Sequence, residues 1–137
     1  MANKHVFNAE NGYILSIITN KTNIQIEVED SQGNELPGYK NHTLDFNTET
    51  FKEIHHVLEE EANKIWKALV LKEADSFGND YYEYYDRELD NNGYLGISSN
   101  QLSVARVFEG SKRVYQFNKQ KMGTFLYDFK NLVDESV

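Results

Sequence analysis

A short pattern occurs twice in this chain of 137 residues, and it constrains the fold more than any other feature of the sequence. Each copy reads Phe-Asn, three residues, an apolar residue, two residues, an apolar residue, three residues and an apolar residue. The copies are Phe46-Asn47 with Phe51, Ile54 and Leu58, and Phe117-Asn118 with Met122, Phe125 and Phe129. Asn is a preferred N-cap residue, and apolar residues three and four apart form one face of a helix. Each copy therefore predicts a strand end that runs into a capped helix.

A second signal lies upstream of each copy. Asn11-Gly12 precedes the β-branched run of residues 13–18, and Asn92-Gly93 precedes the apolar residues 94–95. Asn-Gly is the strongest short signal for a hairpin turn. Two signals in the same order favour an internal duplication, and the alternative is a coincidence between two ordinary strand–helix junctions.

The first half of the chain predicts four strands and a helix. The strands are expected at residues 5–9 (an edge strand), 13–18, 24–29 and 41–46, and the helix at about 48–74. In the third strand, Ile24, Ile26 and Val28 alternate with Gln25, Glu27 and Glu29. Period two of this kind places one face of a strand in the core and the other in water.

The second half predicts the same order of elements after a linker at residues 77–80. The strands are expected at residues 81–85, 94–98, 101–108 and 112–117, with turns at 90–93 and 109–111. A closing helix follows, with an apolar stripe of Met122, Phe125, Leu126, Phe129, Leu132 and Val133.

The fold class that these patterns predict is α+β. We expect two ββββα repeats, at about 5–75 and 80–135, that form curved antiparallel sheets with two helices packed against them. Together they would form one compact domain of residues 1–137, arranged as a pseudo-dimer. Such a chain is a monomer if the two repeats satisfy each other, or a homodimer if the helices also pair between chains.

Composition limits the classes of function. With 39% hydrophobic and 13% aromatic residues the chain can build a core, and without cysteine it has no disulfide, no thiolate nucleophile and no Cys-based zinc site. We expect a cytoplasmic protein with no membrane partner, since no apolar run approaches a membrane span and the first residues lack a signal-peptide core. A net charge of -8 counts against a simple polyanion binder.

One loop and its flanks resemble a known family. The residues are Glu29-Asp30-Ser31-Gln32-Gly33-Asn34-Glu35-Leu36-Pro37-Gly38-Tyr39-Lys40, followed by Leu44 and Phe51. They resemble the transcriptional coactivator family known as positive cofactor four, whose single-stranded-DNA-binding domain has this strand order and terminal helix. A fused duplicate of such units is similar in architecture to the Whirly and Pur-alpha proteins, which also bind single-stranded nucleic acid. The resemblance implies a coactivator-like fold that lays a single strand across the outer faces of its sheets.

Single-strand binding requires cations for phosphates and aromatic rings for bases. The candidate nucleic-acid-binding residues are Tyr39, Lys40, Arg106, Phe108, Lys112 and Arg113. The first two fall in the loop that carries the resemblance, and the other four bracket the most basic hairpin of the chain, with Lys119 and Lys121 beginning the next helix. The alternative is that the basic residues are solvated surface charges and that Phe108 is a core residue.

The outward face of the third strand disagrees with this interpretation. Gln25, Glu27 and Glu29 lie where a phosphate binder would carry lysine, and carboxylates repel phosphates. The corresponding residues of the second half are neutral: Ser103, Ala105 and Val107. The sequence thus leaves two hypotheses: a single-stranded-DNA-binding protein of the kind that a phage or mobile element encodes, and an acidic module that binds or inhibits an unidentified protein by mimicking nucleic acid.

Catalysis and metal binding have weaker support. The sequence shows no Gly-rich phosphate loop and no Ser-His-Asp order, so we expect no enzyme activity and no cofactor. His55 and His56 each precede a glutamate by four residues, but no third metal ligand accompanies them. We therefore expect charge pairing on a solvated helix face, with Glu59, Glu60 and Glu61 exposed.

Overall fold

The structure is a computed structural model that describes residues 3–34, 41–71, 94–105 and 113–135. These residues confirm the predicted α+β class: they form two antiparallel sheets and two helices. The strands are β1 (Asn3–Asn8), β2 (Ile14–Thr19), β3 (Ile24–Glu29), β4 (Asn41–Asp45), β5 (Tyr94–Ser98), β6 (Gln101–Ala105) and β7 (Arg113–Phe117). The helices are α1 (Thr48–Ile65) and α2 (Lys119–Glu135). The predicted linker at 77–80, the strand at 81–85 and the turns at 90–93 and 109–111 lie outside the described residues.

The two sheets exchange strands between the N-terminal half of the chain, which ends with α1, and the C-terminal half, which begins with β5. Sheet A has the order β1-β2-β3-β7, with the predicted edge strand at its edge, and sheet B has the order β4-β6-β5. The strand before α1 pairs with β6, where Leu44 lies opposite Leu102. The strand before α2 pairs with β3, where Ile24 lies opposite Phe117. The last strand of each half therefore belongs to a sheet of the other half.

The predicted alternation of β3 is confirmed, because Ile24, Ile26 and Val28 are buried while the residues between them are half-buried on the other face. The two helices pack against each other through aromatic rings. Phe51 of α1 lies 4.7 Å from Phe129 of α2, measured between ring centroids. Burial of such side chains is the main stabilising contribution to a domain of this size. In the described part of the chain, neither helix has the length and apolar character needed to cross a membrane.

Both predicted N-caps are confirmed. The side-chain oxygen of Asn47 accepts a hydrogen bond from the Thr50 amide at 2.7 Å, and that of Asn118 accepts one from the Lys121 amide at 2.8 Å. The apolar stripes behind the caps are buried: Phe51, Ile54, Leu58 and Ala62 in α1, and Met122, Phe125, Leu126 and Phe129 in α2. The repeated pattern thus encodes two strand–helix junctions of the same construction.

The predicted extension of the first helix to about residue 74 is wrong. The helix ends at Ile65, Trp66 is extended, and Ala68 has a φ of 63°. The chain then crosses α2 so closely that a Cβ on Gly123 would lie 2.5 Å from the carbonyl oxygen of Val70. The helix therefore stops where the following segment packs against α2, which the apolar spacing alone does not reveal.

The turn between β1 and β2 joins the sheets. The Asn11 side chain donates to the Thr43 carbonyl at 2.7 Å and accepts from the Asp45 amide at 3.2 Å. The Glu10 amide donates to the Asp45 carbonyl at 2.6 Å. These bonds satisfy backbone groups of β4 that β6 does not reach, and they fix sheet B against sheet A.

Candidate nucleic-acid interface

Most of the predicted binding residues lie outside the described residues. These are Tyr39, Lys40, Arg106, Phe108 and Lys112. Arg113 begins β7 in sheet A, with its Cα opposite that of Glu27. Asn41 and Ala105, the described neighbours of Lys40 and Arg106, are cross-strand partners in sheet B. A single surface formed by all six residues stays a prediction.

The outer face of sheet B is nearly free of charge. Its described positions follow three rows of cross-strand Cα partners: Asn41 with Ala105 and Tyr94, Thr43 with Ser103 and Gly96, and Asp45 with Gln101 and Ser98. Asp45 is the charged side chain among them, and its carboxylate accepts a hydrogen bond of 2.7 Å from Gln101. Gln101 in turn accepts one of 3.3 Å from Ser98. The carboxylate is thus held at one end of the face, and the other side chains that the structure describes on it are neutral.

An open groove of about 200 Å³ lies on this sheet. It is lined by Asn41, Leu95, Gly96, Ser103, Val104 and Ala105. Gly96 lies against Ser103 in this groove: a Cβ on Gly96 would lie 2.8 Å from the hydroxyl oxygen of Ser103, which would have to move. Pockets for drug-sized ligands measure roughly 300–1,000 Å³, so this groove suits a single ring system. The amide of Asn41 and the hydroxyl of Ser103 supply both donors and acceptors there.

The outer face of sheet A has a different character. Glu27 and Glu29 of β3 lie opposite Ser16 and Ile14 of β2, and Ser16 lies opposite Val6 of the edge strand. Val6 is 54% exposed. The predicted outward position of Glu27 and Glu29 is therefore confirmed, and the face combines these carboxylates with exposed apolar surface and with the exposed Lys4 of β1. A phosphate backbone on this face would meet like charge.

The lysines that begin α2 are less available than the sequence suggests. Lys121 was expected to extend the basic stretch, but it is buried, and its Nζ lies 5.8 Å from the centroid of the Tyr115 ring. A lysine in this position stabilises the fold by a cation–π contact. Lys119 is exposed, and its Nζ lies 3.4 Å from the carbonyl oxygen of Lys67.

Glu61 was expected on the surface, but its side chain is only 3% exposed. Its Oε1 lies 2.9 Å from the Nε2 of His5, and its Oε2 lies 3.1 Å from the Nζ of Lys64. Burial raises the pKa of Glu61, but the hydrogen bonds from His5 and Lys64 outweigh it, and the pKa ends below its ordinary value. This carboxylate ties the edge strand β1 to helix α1.

The histidine pair does not form a metal site within the described residues. His55 packs against Phe129 with 5.2 Å between ring centroids and the rings tilted by 56°, and its Nε2 lies 4.0 Å from the Glu59 carboxylate. Burial lowers the pKa of His55, and the nearby carboxylates of Glu59 and Asp134 only partly oppose it. In the part of the chain that the structure describes, no three His, Cys, Asp or Glu residues are placed to hold a metal ion.

Comparisons with known proteins add no assignment: no family model matches the chain, and no curated protein or solved structure matches it significantly. The candidate site therefore depends on its own geometry. Sequence reasoning did not select Asn41, Gly96 or Ser103. The alternation of β6 marks Ser103 as outward-facing, but the pairing that brings it beside Gly96 is a long-range contact.

Proposed function

We propose that this protein binds single-stranded nucleic acid, without catalysis, on the outer face of sheet B. The observation that carries the proposal is the uncharged groove beside the cross-strand pair of Asn41 and Ala105. Bases require a neutral surface with hydrogen-bonding groups, and phosphates require nearby cations. The groove supplies the first requirement.

The chain itself supports the second requirement. Lys40 precedes Asn41, and Arg106 follows Ala105. Two of the predicted cations thus adjoin the same end of sheet B in the chain.

The strand exchange supports the duplicated, pseudo-dimeric arrangement. Strand β4 pairs with β6, and strand β7 pairs with β3. Each of β4 and β7 runs into a helix capped by Asn. When two copies of a ββββα unit pair, the last strand of each copy is expected to pair with the same strand of the other copy. The resemblance to duplicated single-strand-binding folds depends on this arrangement.

Fluorescence anisotropy with labelled oligothymidine tests the proposal. We expect micromolar or tighter binding that weakens between about 50 and 200 mM salt, because phosphate contacts release counterions. No binding at the lower salt concentration would contradict the proposal.

A triple variant tests the cations. Replacing Lys40, Arg106 and Lys112 with Ala should weaken binding and reduce the slope of log affinity against log salt by about 2, at roughly 0.7 per phosphate contact. The matched control replaces Lys52, Lys67 and Lys130 with Ala and removes the same charge from other surfaces. Equal losses in the two variants would show that only net charge matters.

A second function has one specific observation in its favour. Sheet A presents Glu27 and Glu29 beside the exposed Val6, a combination that suits a protein partner with basic and apolar residues. The acidic protein-binding module is supported if oligothymidine fails to bind at low salt while a protein is captured. That capture should be lost when Glu27 and Glu29 are replaced by Gln.

A further inference from the structure

We infer that the two sheet faces have divided roles: the groove of sheet B holds one unpaired base, and the outer face of sheet A takes no nucleic acid. This inference rests on the proposed function and deepens it. It predicts one binding track in a protein with two sheets.

The dimensions and chemistry of the groove fit a base. Its volume of about 200 Å³ admits one ring system, and a larger residue at position 96 would have to displace the Ser103 hydroxyl. Leu95 and Val104 are among its lining residues, and Asn41 and Ser103 offer neutral donors and acceptors. A base can enter such a groove without burying a charge.

The face of sheet A lacks these properties. Glu27 and Glu29 follow each other along the outward side of β3, and both are half-buried. A strand of nucleic acid that laid its bases on Ile14 or Ile18 would bring its phosphates near these carboxylates. Lys4 is exposed on the same face, but it lies on β1, and strand β2 separates it from these carboxylates. Repulsion is stronger at partly buried sites than in open water, so the carboxylates of β3 exclude the ligand from this face.

An NMR titration of the wild-type protein with oligothymidine tests the division directly. We expect amide shift changes at Asn41, Gly96 and Ser103, and none at Gln25, Glu27 or Glu29. Changes of similar size on both faces, or on sheet A alone, would overturn the inference even though the protein binds.

The second test places a larger side chain in the groove. Ser103→Val should lower oligothymidine affinity by about tenfold, a typical effect of losing one base contact. It should leave the affinity for an abasic deoxyribose-phosphate strand of equal length unchanged. The matched control is Gln25→Val at an outward position of β3, with thermal denaturation confirming that both variants fold.

The outcomes separate the two claims. Unchanged oligothymidine affinity in Ser103→Val, or equal losses for the abasic strand, would overturn the groove while leaving single-strand binding intact. A wild-type protein that does not bind oligothymidine at all would overturn both the function and the inference.

Discussion

Strands β3 and β6 are alike on their inner faces and differ on their outer faces. Both strands pair with the last strand of the other half, and both turn apolar residues inward: Ile24, Ile26 and Val28 in β3, and Leu102 and Val104 in β6. Their outward residues differ in charge, with Gln25, Glu27 and Glu29 on one and Gln101, Ser103 and Ala105 on the other. The inner faces share one core and stay alike, whereas these outward residues lie outside that core. Function is therefore to be sought on the outer faces.

The largest effect on the free energy of unfolding is expected for substitutions on the inner faces of β3 and β6, which test whether these faces are alike. Ile26→Ala and Leu102→Ala each remove a fully buried side chain, so each should lower the free energy of unfolding by about 3 kcal/mol. Urea denaturation measures both, with Glu53→Ala on the exposed side of α1 as a control that should change it by less than about 0.5 kcal/mol. If one core substitution costs little, the two strands do not share one core equally.

The next effect concerns the link that holds sheet A to a helix. Glu61→Ala leaves His5 and Lys64 without their carboxylate partner and should cost about 1–2 kcal/mol near neutral pH. Because the pKa of Glu61 is lower in the folded protein, its contribution is complete above its unfolded value of about 4.3 and is lost as pH falls through the folded value.

Urea denaturation of both proteins at several pH values checks this. The difference between wild type and Glu61→Ala should shrink below about pH 4. The exposed neighbour provides the control, since Glu60→Ala should have little effect at any pH. A difference that stays constant into acid would show that the carboxylate contributes by packing alone.

A smaller effect compares the two strand–helix junctions. Asn47→Ala and Asn118→Ala each remove the acceptor for a first-turn amide and should each cost about 1 kcal/mol. Asn47→Asp and Asn118→Asp keep an acceptor oxygen and should retain most of the stability. Thermal denaturation measures all four variants, and a large cost at only one junction would break the likeness between the halves.

The smallest effect on stability exchanges the outer faces. Glu27→Ser and Ser103→Glu each transfer the residue of one strand to the other, and each should change the free energy of unfolding by less than about 0.5 kcal/mol. Their effects on oligothymidine binding should be unequal. Ser103→Glu places a charge in the groove and should abolish most binding, while Glu27→Ser should not reduce it. A loss of binding in Glu27→Ser would place the ligand on sheet A.

Local signals were enough to predict much of the fold but little of the candidate site. The groove was not predictable, because Asn41, Gly96 and Ser103 come from three strands that are distant in the chain. Each residue alone is an ordinary small polar residue or a glycine. Only the pairing of β4 with β6 and of β6 with β5 brings them together.

The sequence by itself determined the features that depend on neighbours in the chain. These are the alternation of β3, the Asn caps of α1 and α2, and the apolar stripes behind them, because period and capping are local. Tertiary structure alone decided where α1 ends, which strands share a sheet, and that Glu61 and Lys121 are buried. The physical reason is that these outcomes depend on which distant segment packs beside each residue. Residue type and spacing do not specify those long-range contacts.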